Sequence, residues 1–135
     1  MRAPVEQAAA QCANLEYRGW LDREALCALI DESSLLVLPS HVETFGSIAL
    51  EAMVRQRPVL VSAHAGIHDW PVVANHLYAL AEDEPLSDAI GRLQALPAPH
   101  LRAAGRNGRE SALRLHYETL DQWVAVLSAH ASGSA

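Results

Sequence analysis

Two acidic residues, Glu43 and Glu51, are separated by seven residues in the stretch of the chain that is best suited to bind a ligand. An apolar run at residues 35–38 precedes them and predicts a buried β-strand. Glu43 falls in the loop after this strand, and Glu51 falls about one turn inside the helix that follows. Ligands of open α/β sheets bind at the carboxyl ends of the strands. The two carboxylates are therefore predicted to meet a ligand at different depths.

The residues around the two acids predict a strand, a loop and the start of a helix. Pro39 and Ser40 end the apolar run, because proline cannot donate to a β-ladder and serine favours turns. Gly46 and Ser47 then begin the helix. The first N–H groups of a helix lack partners within it and carry a partial positive charge, which suits a phosphate group.

This stretch resembles the motif of retaining glycosyltransferases of family 4 (glycosyl transferases group 1). The resemblance is strongest in the segment between the two glutamates, Thr44-Phe45-Gly46-Ser47-Ile48-Ala49-Leu50. It also includes residues 37–40 before this segment, and residues 51–53 and 57–61 after it. It extends weakly from about Asn14 to Tyr117, which is most of the chain. It implies a large part of the C-terminal, donor-binding domain of a GT-B enzyme.

The resemblance also assigns roles to individual residues. Glu51 would accept hydrogen bonds from the ribose hydroxyls of the donor nucleotide, since both oxygens of a carboxylate can accept from a vicinal diol. Glu43 would be the catalytic residue, lying beside the transferred sugar and positioning it or stabilising charge near its anomeric carbon. The backbone N–H groups of Phe45, Gly46 and Ser47 would bind sugar hydroxyls or phosphate oxygens.

Three further positions belong to the predicted nucleotide-sugar site. Gly66 lies in the loop after the next predicted strand, where the family carries a Gly-Gly pair followed by an acid. Here Ala65 replaces the first glycine and Asp69 is the acid. His41 and Ser40 are possible contacts to the donor or the acceptor, with loop packing as the alternative.

Simpler roles remain open for the same residues. Glu51 also suits the positive end of the helix dipole, and Glu43 is also consistent with a solvated loop acid. His64 and His68 are four positions apart, but no third ligand stands at a convincing spacing, so the sequence predicts no metal site.

Composition narrows the class of protein. The chain has 135 residues, half of them apolar, which fits one domain of helices packed on a sheet. A net charge of −6 argues against a nucleic-acid partner or an anionic membrane surface. The chain contains no lysine, which excludes a lysine nucleophile or a phosphate-clamping lysine. It also shows no apolar run near the ~20 residues that span a bilayer and no signal-peptide core. We therefore expect a cytoplasmic protein with at most peripheral membrane association.

The rest of the chain alternates between predicted strands and helices, which indicates an α/β fold with a Rossmann-like parallel sheet and helices on both faces. Strands are predicted at residues 14–18, 35–38, 58–61 and 76–80, the second of them central because it is apolar on both faces. Helices are predicted at residues 22–32 and 47–56, from 83 to a break at Pro97, at 100–116 and at 117–130. In the last helix, four residues are predicted to face inward: Leu120, Trp123, Val124 and Leu127.

These elements predict one partial nucleotide-sugar-binding domain at residues 14–130, between a helical tail or boundary at 1–13 and a disordered tail at 131–135. The resemblance implies a metal-independent transferase of polysaccharide biosynthesis, without a cofactor, using a UDP- or GDP-linked sugar and a sugar or lipid-linked acceptor. The N-terminal acceptor domain and the family's diphosphate-binding basic residues are missing from the matched stretch, so the chain is expected to be inactive alone. A nucleotide-sugar epimerase of GT-B architecture and a non-catalytic nucleotide-sugar-binding module are the alternatives.

Overall fold

The computed structural model of the protein describes residues 2–132, with burial of side chains described for residues 4–129. The strands are β1 (Leu36–Leu38), β2 (Val59–Ser62) and β3 (Tyr78–Leu80). A single 3₁₀ turn (Gly66–Asp69) follows β2. The helices are α1 (Arg2–Gln11), α2 (Arg23–Glu32), α3 (Ser47–Val54), α4 (Pro71–Ala74), α5 (Leu86–Gln94) and α6 (Ala98–Ser132).

The three strands form a parallel sheet in the order β1-β2-β3. Leu36 pairs with Val59 at the β1–β2 junction, and Val61 pairs with Ala79 at the β2–β3 junction. Every residue of β2 is buried. The predicted α/β class, with a parallel sheet between helices, is confirmed.

Alternate residues of β2 face two separate parts of the core. Val59 and Val61 belong to the larger cluster, which includes Met53 of α3 and Leu115 of α6. Leu60 points the other way, into a smaller cluster with the buried residues of α5. Helices therefore cover both faces of the sheet, and the loops at its carboxyl edge are anchored from both sides.

The prediction that β1 is a central strand is wrong within the described residues. β1 pairs with β2 only and its three residues are half-buried. Its two faces are nevertheless both covered, because Leu36 and Leu38 pack on the larger cluster while Val37 packs on the smaller. An apolar run predicts that both faces of a strand are covered. It does not predict how many neighbouring strands pair with it, because that pairing is made by backbone groups.

Of the first two predicted elements, one differs from the structure. Residues 14–18 are not a strand, because within the described residues no strand lies alongside to pair with them. The helix predicted to start at Asp22 is confirmed, since the carboxylate of Asp22 accepts a hydrogen bond of 2.8 Å from the backbone N–H of Ala25.

The two helices predicted at residues 100–116 and 117–130 are one continuous helix, α6. No proline or glycine stands near Tyr117 to interrupt the helix. Its second half extends beyond the sheet, so the four residues predicted to face inward are 48–64% exposed: Leu120, Trp123, Val124 and Leu127. Within residues 2–132, no helix is both long enough and apolar enough to cross a membrane.

Gly105 sets how closely α6 approaches the turn after α3. A Cβ at this position would lie 2.1 Å from the backbone carbonyl oxygen of Gln56. We expect Gly105→Ala to lower the free energy of unfolding by about 1–3 kcal/mol, because backbone atoms must move to admit the methyl group. Urea unfolding followed by circular dichroism measures this change.

Gly91 provides the matched control for that substitution. It lies within α5, and a Cβ there would meet nothing within 4 Å. Gly91→Ala should therefore stabilise the protein by about 0.5–1 kcal/mol through helix propensity. A Gly105→Ala variant as stable as the wild type would contradict the close approach.

Candidate functional site

The carboxyl ends of the three parallel strands lie at one edge of the sheet, and the loops that follow them enclose a cavity of about 600 Å³. Ser40 and His41 line it from the loop after β1, His64 from the loop after β2, and Glu82 and Glu84 from the loop after β3. Open α/β sheets bind ligands at this edge. Ser40 and His41, the two residues predicted as possible contacts, therefore lie at the expected edge.

The acids of this cavity are already paired with protein groups. The imidazole Nε2 of His64 lies 3.6 Å from a carboxylate oxygen of Glu82. The guanidinium of Arg92 donates to both oxygens of Glu84 at 3.0 and 3.1 Å. Sequence reasoning missed Glu82 and Glu84, although their place directly after the predicted strand at 76–80 was the signal available.

The loop that carries Glu43 is held against the 3₁₀ turn by backbone contacts. The N–H of Gly66 donates to the carbonyl of Glu43 at 3.2 Å, and the N–H of Ile67 donates to the carbonyl of Phe45 at 3.0 Å. A Cβ on Gly66 would lie 2.0 Å from the carbonyl oxygen of Thr44. The structure thus brings Glu43, Phe45 and Gly66 together, and the glycine permits a close approach of two backbones.

Gly46 turns the chain from this loop into α3. It is buried and adopts φ 95°, a left-handed conformation that glycine adopts without strain. Phe45 donates its N–H to the Glu43 carboxylate at 3.3 Å, so one of the three predicted backbone donors is occupied. The N–H groups of Gly46 and Ser47 have no acceptor among the described residues. They are available to a ligand at the start of the helix.

Glu51 lies on another side of the same helix. It lines a separate cavity of about 320 Å³ enclosed by α2, α3 and α6, in which Leu50, Val54 and Leu113 supply apolar walls. Its carboxylate is 4.0 Å from the guanidinium of Arg23, which is 83% exposed. The structure therefore brings the predicted residues into one region around the start of α3, but it does not place Glu51 in the larger cavity.

A second cation stands beside the cavity of Glu51. Arg55 donates a hydrogen bond to the carboxylate of Asp31. This hydrogen bond is the main reason that the pKa of Arg55 is raised above its ordinary value, so the guanidinium stays charged. Arg23 and Arg55 each lie beside a carboxylate at this cavity, which therefore offers both donors and acceptors to a hydroxyl-rich ligand.

The rest of the predicted loop is held by aromatic packing. The rings of Phe45 and Trp70 meet edge to face, with centroids 6.1 Å apart and planes at 89°. This geometry is a favoured one for aromatic pairs. In the part of the chain that the structure describes, no group of three His, Cys, Asp or Glu side chains comes together as a metal site.

Comparison with known proteins gives a family match over most of the chain. Residues 6–113 match the family model described as glycosyl transferases group 1. The solved structure of sucrose-phosphate synthase from Thermosynechococcus elongatus superposes on 99% of the chain with a TM-score of 0.79 at 25% identity. The match covers 35% of that structure.

Sequence relatives agree with the family match. A D-inositol 3-phosphate glycosyltransferase of Streptomyces avermitilis is 29% identical over 131 residues, an alignment that covers 86% of this chain and 26% of the relative. A glycogen synthase of Mycobacterium tuberculosis is 32% identical over 111 residues, covering 82% of this chain and 26% of the relative. The chain therefore spans about a quarter of the length of these relatives.

The close contact at Gly66 yields a direct test of the loop geometry. Gly66→Ala should lower the free energy of unfolding by about 1–3 kcal/mol, because the new methyl group meets the Thr44 carbonyl and that backbone must shift. Amide hydrogen exchange should quicken at residues 66 and 67, whose N–H groups donate to the Glu43 loop. Unchanged exchange at both amides, against Gly91→Ala as the control, would contradict this arrangement.

Proposed function

Because the chain belongs to the glycosyl transferases group 1 family, we propose that it is the donor-binding portion of a retaining glycosyltransferase that uses a nucleotide-diphospho-sugar. The observation that carries the proposal is the start of α3. There, the N–H groups of Gly46 and Ser47 have no acceptor among the described residues, and they lie at a glycine turn beside a half-buried carboxylate, Glu43. Such a helix start binds phosphate or hydroxyl oxygens.

In this proposal the nucleoside end of the donor occupies the cavity beside Glu51. The Glu51 carboxylate accepts hydrogen bonds from the ribose diol, replacing its distant contact with Arg23. Apolar walls at Leu50, Val54 and Leu113 suit the flat faces of a ribose and a base. UDP and GDP are the nucleotides that we propose.

Glu43 serves the transferred sugar in the same proposal. Its carboxylate is half-buried and fixed by the N–H of Phe45, so it is held in place without a counter-charge among the described residues. A fixed carboxylate next to the anomeric carbon stabilises positive charge that develops there as the sugar–phosphate bond breaks. Ser40 and His41 border this position at the larger cavity.

Transfer with retention of configuration requires that the leaving diphosphate be stabilised while the acceptor oxygen attacks the same face of the sugar. The N–H groups at the start of α3 supply part of that stabilisation without a metal ion. We propose that the remaining basic groups that contact the diphosphate lie outside these 135 residues. The sugar or lipid-linked acceptor is proposed to bind there as well. The chain alone is therefore proposed to bind the donor without transferring sugar.

The setting of the reaction belongs to the same proposal. The relatives include a glycogen synthase and a D-inositol 3-phosphate glycosyltransferase. By analogy with them, we propose a role in polysaccharide assembly in the cytoplasm.

The role of Glu51 is tested by calorimetric titration of UDP and GDP into the wild type and into Glu51→Gln. The substitution keeps the shape of the side chain and removes its charge, so the affinity for the preferred nucleotide should fall about tenfold or more. Glu24→Gln is the matched control, because it removes the same charge from the exposed first turn of α2.

Two results would count against this assignment. Equal nucleotide affinities of the wild type and Glu51→Gln would show that the ribose does not bind at Glu51. Equal losses in Glu51→Gln and Glu24→Gln would show that net charge, rather than a specific contact, controls nucleotide binding.

Glu43 is tested by comparing a nucleotide with its sugar-linked form. In Glu43→Gln the affinity for UDP or GDP should stay within about twofold of the wild type, while the additional affinity contributed by the sugar should fall about tenfold. The measurement is a pair of titrations, nucleotide and nucleotide-sugar, on each protein. A loss shared equally by both ligands would place Glu43 at the nucleotide instead of the sugar.

A further inference from the structure

A small basic pocket lies at the opposite edge of the sheet from the proposed donor site. Ser34 stands just before β1 and Pro58 just before β2, so the pocket opens at the amino ends of these strands. Its volume is about 180 Å³, and Arg57, Arg102 and the first residue of α6, Ala98, complete its wall. We call it the amino-edge pocket.

The amino-edge pocket is positively charged in a chain whose net charge is −6. Its lining residues include two guanidinium groups, those of Arg57 and Arg102, and no carboxylate. Neither guanidinium forms an ion pair with another residue of the described chain. Five other arginines, by contrast, pair with acids: Arg18, Arg23, Arg55, Arg92 and Arg114. The cations of this pocket are therefore left to an external anion.

One atom of the pocket points to such a ligand more directly. The Nε of Arg57 is buried and has no hydrogen-bond partner. Buried donors in folded proteins almost always have an acceptor, and a donor on a charged group is the costliest to leave without one. A shift of the Arg57 side chain toward the pocket would give this nitrogen an oxyanion as its acceptor, together with a counter-charge.

The backbone segments that carry the two arginines are held together by the packing of α6. The chain turns after α3 at Gln56, whose carbonyl faces Gly105 at a distance that only glycine allows. Arg109 donates to the carbonyl of Val54 at 2.6 Å, and the backbone N–H of Arg57 donates to Ala52 at 2.9 Å. This preorganisation lowers the entropy lost when a ligand is bound.

We propose that the amino-edge pocket binds a phosphate-class oxyanion, either inorganic phosphate or the phosphate end of a small monoester. Planar guanidinium groups match the oxygens of a phosphate, and the Ser34 hydroxyl can add a neutral hydrogen bond. The start of α6 contributes a smaller favourable field. This site is separate from the donor site and does not depend on the proposed function.

The test titrates inorganic phosphate and, separately, glycerol 3-phosphate into the 135-residue protein at low ionic strength, with calorimetry and ³¹P NMR as readouts. Arg102→Gln should weaken binding about tenfold or more, because it removes an exposed, charged donor that plays no part in the core. Arg57→Lys keeps the charge but removes the buried Nε donor, and it should weaken binding as well. Circular dichroism confirms that each variant is folded.

Two variants serve as controls. Arg106→Gln removes the same charge from an exposed position one turn farther along α6, outside the pocket, and should change binding less than about twofold. Glu24→Gln changes a charge on the exposed first turn of α2, outside both cavities, and should also change phosphate binding less than about twofold.

The outcomes separate the proposal from its competitors. Binding of either anion that is lost in Arg102→Gln and kept in both controls supports the pocket, and the tighter of the two anions identifies the source of the phosphate. No binding to the folded wild type would mean that water satisfies Arg57, and the proposal fails. It also fails if Arg106→Gln weakens binding as much as Arg102→Gln, because net charge rather than the pocket would then control binding. The nucleotide titrations that test the donor site are independent of all these results.

Discussion

The arrangement of the candidate site depends on one backbone contact, the junction between the Glu43 loop and the 3₁₀ turn at Gly66. Parallel pairing of β1 with β2 brings the two loops to the same edge of the sheet. The N–H groups of Gly66 and Ile67 then bind the carbonyls on either side of Thr44. Because residue 66 has no Cβ, the backbones meet directly, and the contact of Phe45 with Trp70 adds to this backbone junction.

The contact between Glu51 and Arg23 explains how a carboxylate can be both partnered and available. The two charges are 4.0 Å apart, and the arginine is 83% exposed. Such an exposed pair contributes about 0–1 kcal/mol. A ligand that offers two hydroxyl donors to Glu51 therefore displaces little stabilisation. Arg55 differs, because its hydrogen bond to Asp31 keeps it in place at the same cavity.

The sequence predicted the strand, loop and helix around Glu43 and Glu51 because each boundary there has a local chemical cause. The apolar run at residues 35–38 forms the strand, Pro39 ends it, and Gly46 permits the left-handed turn before α3. The position of β1 at an edge could not be predicted, since edge pairing leaves no mark on side chains. The continuity of α6 was missed because the apolar pattern of residues 117–127 resembles that of a packed helix, although these side chains lie beyond the sheet. The separate cavity of Glu51 depends on packing between α2, α3 and α6, which no local pattern specifies.

The positions of two helix starts, those of α3 and α6, follow from how the helices connect to the sheet. α3 begins at the carboxyl edge because it directly follows β1. α5 starts at that edge and runs back to the other, and α6 follows it with no strand between them. α6 therefore begins at the amino edge, beside the residues that lead into β1 and β2. Because α5 connects directly to α6, α6 begins at the amino edge of the sheet, whereas α3 begins at the carboxyl edge. At the carboxyl edge the helix start lies among acids and hydroxyls, whereas at the amino edge it lies beside two unpaired arginines, so the two edges select ligands by different chemistry.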